Sequence, residues 1–215
     1  MSIFSRTKSS LVEPEQALPG RSERMFSIAA RHKVLDAPVI TDEVPEGYEV
    51  AIFGLGCFWG AEEIYWQKPG VWSTSVGYAG GTTPNPSYEE VCSGRTGHTE
   101  AIRIVFDPSV ISYADLVKTF FEVHDPTQGM RQGNDVGTQY RSAIYFTSPE
   151  QEATARELTT VYGSMLSRRH LGAITTEIRS APTYYYAEDH HQQYLLKNPF
   201  GYRCHAKTGV PVPRG

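Results

Sequence analysis

The chain is poor in cysteine, with Cys57, Cys92 and Cys204 as its full complement of 3 in 215 residues. An odd count this small cannot make a disulfide framework, so stability must come from a hydrophobic core. Positive charge is not in excess either: Lys and Arg number 20 against 24 Asp and Glu, for a net charge of −4. Nothing therefore argues for nucleic acid or an anionic membrane surface as a partner. No apolar run approaches the ~20 residues that span a bilayer. The N-terminus lacks a secretory apolar stretch, and Glu13, Glu15 and Glu23 do not suit an acidic-poor transit peptide. These absences place the chain in the cytoplasm. There a cysteine is by default a small buried hydrophobe, and any chemical role must be argued residue by residue. Repeats, mid-chain linkers and low-complexity blocks are also missing. What remains is an ordinary globular composition, 40% hydrophobic and 20% charged, enough for one sizeable core and a small appendage.

Residues 1–46 are polar, hold several prolines and show no sustained period of 3.6 or 2. They read as an N-terminal extension to a single domain over 47–215. Met25, Phe26, Ile28, Val34 and Leu35 are its candidates for finding apolar surface. From Tyr48 the pattern sharpens. Val50–Leu55 (VAIFGL) is an almost wholly apolar strand, covered on both faces. A helix over Ala61–Trp66, stopped by Pro69-Gly70, leads to a strand over Val71–Tyr78. Ala79–Gly97 is a Gly/Pro/Ser-rich stretch too long for a passive turn. His98–Phe106 is a strand, and Ser112 with Asp115 resembles a capping box for the next helix. A polar loop, Asp125–Gly137, precedes a strand over Tyr140–Phe146, and Ser148-Pro149 with Gln151 starts another helix, as a capping box with Pro at the first position. A short strand over Thr175–Arg179, a helix over Ala187–Leu196 and coil after Pro199 complete the reading. Strand, helix, strand, strand, helix, strand is the split β-α-β order of a ferredoxin-like core. The expected class is α+β, a two-layer sandwich with long loops and coil-rich termini.

One place stands out for chemistry. The Val50–Leu55 strand delivers Cys57 to the start of a helix, where free N–H groups and the helix dipole favour an anion. On that ground the Cys57 pKa should fall. Gly54, Gly56 and Gly60 would let the chain turn tightly. Phe58 and Trp59 follow directly, either as an apolar substrate pocket or as ordinary packing. A dinucleotide loop fits poorly, because Trp59 stands where G-x-G-x-x-G needs glycine.

The segment Gly56-Cys57-Phe58-Trp59-Gly60 resembles the signature of methionine sulfoxide reductase A, the peptide-methionine (S)-S-oxide reductases. Four further blocks in the right order resemble the same family: YEEVCSGRTGHTE over Tyr88–Glu100, GMRQGNDVGTQYRSAIY over Gly129–Tyr145, AEDHHQQY over Ala187–Tyr194 and NPFGYRC over Asn198–Cys204. The similarity covers roughly residues 45–205.

The resemblance implies reduction of the S epimer of methionine sulfoxide, free or in oxidised proteins, as repair after oxidative damage. Cys57 would attack the sulfoxide sulfur and be left as a sulfenic acid. Cys204 would close a disulfide with it, and thioredoxin, or dithiothreitol in vitro, would reopen that bond. Glu100 matches the family's acid. On a strand it shares a face with Ile102, Ile104 and Phe106, so burial should keep it protonated near neutrality. Tyr88 and Tyr140 match tyrosines that hold the sulfoxide oxygen, and Asp135 matches an aspartate that lines the site. Phe58 and Trp59 become the pocket for the substrate methyl group. No bound cofactor or metal is implied, and nothing demands more than a monomer. Two departures stand out: Arg203 separates Tyr202 from Cys204, and no cysteine follows Cys204, so one resolving partner is expected. Cys92, His190 and His191 read as structural. Two rivals remain on residue type alone. A cysteine hydrolase would need a base such as His98, His124 or His191 beside Cys57. A zinc site would draw on Cys92, His98, Cys204 or the His190-His191 pair, whose spacing matches no common ligand pattern.

Overall fold

A computed structural model describes residues 9–204 and 206–213. The first eight residues of the expected extension lie outside that range. Strands β1 (Glu49–Leu55), β2 (Val71–Ala79), β3 (Thr99–Phe106), β4 (Arg131–Gln132), β5 (Asp135–Val136), β6 (Ser142–Phe146), β7 (Glu177–Ser180) and β8 (Tyr185–Tyr186) alternate with five helices. These are α1 (Phe58–Trp66), α2 (Tyr88–Cys92), α3 (Tyr113–Val123), α4 (Pro149–Arg168) and α5 (Tyr194–Lys197). Six strands form one mixed sheet in the order β7-β6-β1-β3-β2-β8, and β4 and β5 form a separate hairpin. The pairs β6–β1, β1–β3, β3–β2 and β2–β8 are antiparallel, and β6–β7 is parallel.

Strand alternation sorts the core. Ala51, Phe53 and Leu55 of β1, Ile102, Ile104 and Phe106 of β3, and Ile144 of β6 face α1, α3 and α4. Phe53 sits at the centre, with ring contacts to Tyr65, Tyr113 and Phe120 at 5.8, 6.1 and 5.3 Å. The opposite face presents Ile52, Ala101, Ala143 and Tyr145, covered in part by Ala181 and Tyr184. Both faces of β1 are therefore buried, as its unbroken apolar run requires.

Three helices begin on a serine whose side chain accepts the N–H of the residue three places on. The pairs are Ser87–Glu90, Ser112–Asp115 and Ser148–Gln151. Only the first is a reciprocal capping box. Asp115 turns back to the Ser112 hydroxyl, and Gln151 Oε1 takes the Thr147 N–H. The helix expected over Ala187–Leu196 is largely absent. Residues 188–193 form turns, Gln193 is left-handed at φ 47°, and only Tyr194–Lys197 is helical. The strand expected from Tyr140 begins at Ser142, because Thr138–Tyr140 form a 3-10 turn.

The described part of the extension lies against the domain. Arg21 forms a two-pronged ion pair with Glu90, Ala29 N–H donates to Asp189, and His32, Ala37, Val39 and Thr41 are buried. Of the apolar candidates, Leu35 packs on the core, whereas Met25 and Val34 are exposed. No described helix is long and apolar enough to cross a membrane.

Candidate active site at the start of the first helix

Strand β1 ends at Leu55, and the chain turns at Gly56 with φ +94°. A side chain at Gly56 would be strained there and would meet Gln132 at 2.7 Å. The other two glycines act differently: Gly54 packs on Thr99 within the strand, and Gly60 lies inside α1 with open space beside it. Cys57 is the N-cap residue of α1 and half-buried.

The N–H groups of Trp59 and Gly60 hydrogen-bond toward the sulfur and favour its anion. They do not decide the outcome. Burial, and then the neighbouring charges of Glu100 and Asp135, push the Cys57 thiol well above its ordinary range. The expectation of a lowered pKa was drawn from the helix start alone. It is overturned because desolvation and a facing carboxylate outweigh two backbone donors.

Glu100 stands on β3 beside Ile102, with 2% of its surface exposed. Its Oε2 accepts the Phe58 N–H at 3.0 Å, tying the carboxyl to the residue after Cys57. Burial raises its pKa to about 8, against the lowering effect of that hydrogen bond, and Asp135 adds a smaller upward push. The carboxyl is therefore protonated at neutral pH. Tyr140, Asp135, Cys57 and Glu100 lie close enough for their charges to act on one another. Tyr88 feels Glu100, Cys92 and Tyr140, and its hydroxyl engages the Cys92 side chain. Burial raises both tyrosines, so each keeps its O–H. Asp135 sits on the small hairpin, raised by burial while the Tyr202 hydroxyl donates to its Oδ2 at 3.1 Å.

An aromatic box flanks the cysteine. Phe58 is 1% exposed and packs on Tyr78, Tyr88 and His191 at 6.0, 6.5 and 5.3 Å. Trp59 stacks flat on Tyr194 at 3.9 Å, and its Nε1–H donates to His191 Nδ1 at 3.1 Å. Glu188 accepts both the Tyr78 hydroxyl and the Tyr88 N–H, each at 2.8 Å. Below this, the fully buried Glu62 receives the Gln193 N–H and side-chain amide and the Thr74 hydroxyl. That network fixes the left-handed turn which aims Tyr194 at Trp59.

Cys204 lies in the C-terminal coil. With Cys57 it lines a cavity of about 220 Å³ whose walls include Leu55, His124 and Gln132. None of the three cysteines is in a disulfide. The residues expected at the site thus converge: Cys57, Phe58 and Trp59 from the head of α1, Glu100 from β3, Tyr88 from α2, and Asp135 and Tyr140 from the second long loop. Cys204 shares the cavity beside Cys57. Tyr78, Glu188, Glu62, Gln193 and Tyr194 were not singled out from sequence. Glu188, Gln193 and Tyr194 fall inside a matched block, which was their one available signal.

The rivals find little here. Both ring nitrogens of His98 and of His124 are engaged by other groups, and His191 Nδ1 accepts from Trp59. No described imidazole is bonded to Cys57. Among the described residues, no group of three or more His, Cys, Asp or Glu could hold a metal ion.

The chain is similar to known proteins over nearly its whole length. The family described as "Peptide methionine sulfoxide reductase" matches residues 49–212. A peptide methionine sulfoxide reductase MsrA of Salinispora arenicola is 58% identical over 215 residues, covering 99% of this chain and 97% of the relative. One of Rhodospirillum centenum is 55% identical, covering 100% and 98%. The solved methionine sulfoxide reductase A of Corynebacterium diphtheriae superposes with a TM-score of 0.85 at 48% identity, covering 95% of this chain and 100% of its own. Similarity this high, spread over nearly the whole length of each chain, means that the chain belongs to the peptide methionine sulfoxide reductase family of oxidoreductases.

Proposed function

We propose that the chain reduces the S epimer of methionine sulfoxide, free or in proteins, with Cys57 as nucleophile and Glu100 as proton donor. The observation that carries this reading is the buried Glu100 carboxyl, protonated up to about pH 8 and hydrogen-bonded to the residue beside Cys57. A sulfoxide oxygen is a poor leaving group until it is protonated, and a neutral carboxyl supplies that proton. Tyr88 and Tyr140, both held as phenols, donate to the same oxygen. Asp135 lines the site through water. Phe58 and Trp59 enclose the methyl group.

The resting site carries a thiol on Cys57 and a proton on Glu100. Glu100 protonates the sulfoxide oxygen, and its carboxylate takes up the Cys57 proton as sulfur attacks sulfur. The S–O bond passes to the enzyme: sulfoxide plus thiol become thioether plus Cys57 sulfenic acid, with no net proton change. Cys204 then displaces water to form the Cys57–Cys204 disulfide. Thioredoxin reduces that bond by dithiol exchange. The shared cavity of Cys57 and Cys204 supports this pairing.

Residues 47–215 serve as the catalytic domain and 1–46 as an N-terminal extension, whose contacts through Arg21, Ala29 and Leu35 lie on that domain, in a monomer of the reducing cytoplasm. The order β6-β1-β3-β2 around α1 and α3 supports a ferredoxin-like core.

The test is turnover. The protein with dithiothreitol should yield methionine from the S sulfoxide and none from the R sulfoxide. Turnover that persists in Cys57→Ser would contradict the reading.

A further inference from the structure

Cys204 follows two side chains that are both tied to the site. Tyr202 donates to Asp135. Arg203 grips Glu63 with two parallel hydrogen bonds, Nε to Oε2 at 2.6 Å and Nη2 to Oε1 at 2.7 Å. The same guanidinium donates from Nη1 to the carbonyls of Pro199 and Gly201 at 2.9 and 3.3 Å, bracing the turn that precedes it. Glu63 lies on α1, the helix that Cys57 opens. The pair is partly sheltered, with side-chain exposures of 30% and 23%. Beside it, Cys204 Sγ lies 3.5 Å from the Gln132 carbonyl. A Cβ on Gly133, at φ +58°, would press on that sulfur at 3.2 Å.

A disulfide tolerates only a narrow range of Cα separations and directions. A coil segment free to wander meets that geometry rarely, and a segment docked on the partner's own helix meets it often. Arginine suits such docking, because its planar fork matches a carboxylate along two bonds. We propose that Arg203 is a positioning residue for the resolving step. By docking on Glu63 it holds the Cys204 segment against the Cys57 helix, and so sets how fast the Cys57 sulfenic acid becomes a disulfide. The step it assists is Cys57 sulfenic acid plus Cys204 thiol giving the disulfide and water. Reduction of the sulfoxide does not involve it. The inference rests on the reading of Cys204 as resolving residue.

The experiment is rapid quench of reduced protein with methionine sulfoxide and no external thiol. Methionine release reports the first step, and disulfide closure and dimedone-trapped sulfenic acid report the second. Arg203→Ala and Glu63→Ala should release methionine at the wild-type rate, close the disulfide roughly fivefold more slowly at low salt, and accumulate trapped sulfenic acid. The double exchange Glu63→Arg with Arg203→Glu should restore closure. Added salt should slow closure in the wild type and leave Arg203→Ala unaffected. Closure at the wild-type rate in Arg203→Ala, or an equal slowing of methionine release, would overturn the inference. A wild-type protein that forms no Cys57–Cys204 bond would instead remove the resolving role itself.

Discussion

The Glu100 carboxyl accepts the backbone N–H of Phe58 at 3.0 Å, so the buried acid is held by the residue next to Cys57. This contact couples the two groups. Glu100 is the largest charge influence on the Cys57 thiol, and it acts upward. Replacing it therefore moves two observables in opposite directions. Glu100→Gln should slow methionine formation roughly a hundredfold or more, through loss of the proton donor. It should also lower the Cys57 pKa and speed alkylation of that thiol by iodoacetamide at alkaline pH. Faster alkylation together with slower catalysis separates this account from simple damage to the site.

The same carboxyl predicts a pH limit. A donor with a pKa of about 8 loses its proton above that value, so the methionine-forming step should decline above about pH 8. Single-turnover rates between pH 6 and 10 check this. The Glu100→Gln variant should show no such alkaline decline.

Stability should depend on pH through a second set of groups. Burial holds His32, His98 and His124 down to about 4, and His191 to about 3. The unfolded chain keeps the ordinary histidine value near 6.5 and binds more protons in between. Stability should therefore fall as pH drops from about 6.5 to about 4. Glu100 and Glu62 act with the opposite sign. Burial raises them to about 8 and about 7, so the folded chain binds more protons above about 4.5, and stability falls as pH rises toward 8. Denaturant midpoints should peak near pH 6 to 7, and Glu100→Gln should make the alkaline limb shallower, with Glu62 carrying what remains, and the acid limb above about pH 4.5 steeper.

Much of this was legible in the residues. The VAIFGL run, the serine helix starts and the Pro69-Gly70 stop locate the main elements because each signal is local. The capping box Ser87-x-x-Glu90 was equally local, yet it lay hidden in a stretch read as loop. The turn over residues 188–193 could not be read, because Gln193 adopts its left-handed conformation to meet Glu62, 131 positions away. The Cys57 pKa failed for the same reason. A helix start is visible in sequence, but the burial and the Glu100 carboxylate that outweigh it arrive through the fold. The packing of Tyr194 on Trp59 is likewise a product of that distant turn.

The stack of Trp59 on Tyr194 carries its own prediction. Tyr194→Leu removes a flat ring at 3.9 Å and frees the indole to move. Aromatic pairs of this kind contribute about 1 kcal/mol. KM for methionine sulfoxide should rise roughly fivefold while the single-turnover rate at saturation stays near wild type. Steady-state kinetics on the free amino acid measure the split.

The central claim is tested most directly by one stoichiometry. Reduced protein carries its 3 cysteines as thiols. Mixed with excess S-methionine sulfoxide and no reductant, it should release about one methionine per chain and retain one titratable thiol, Cys92, with a Cys57–Cys204 bond identified in the non-reduced peptide map. Cys57→Ser should release none. Methionine release from Cys57→Ser, or a wild-type protein that keeps all its thiols while methionine forms, would contradict the account.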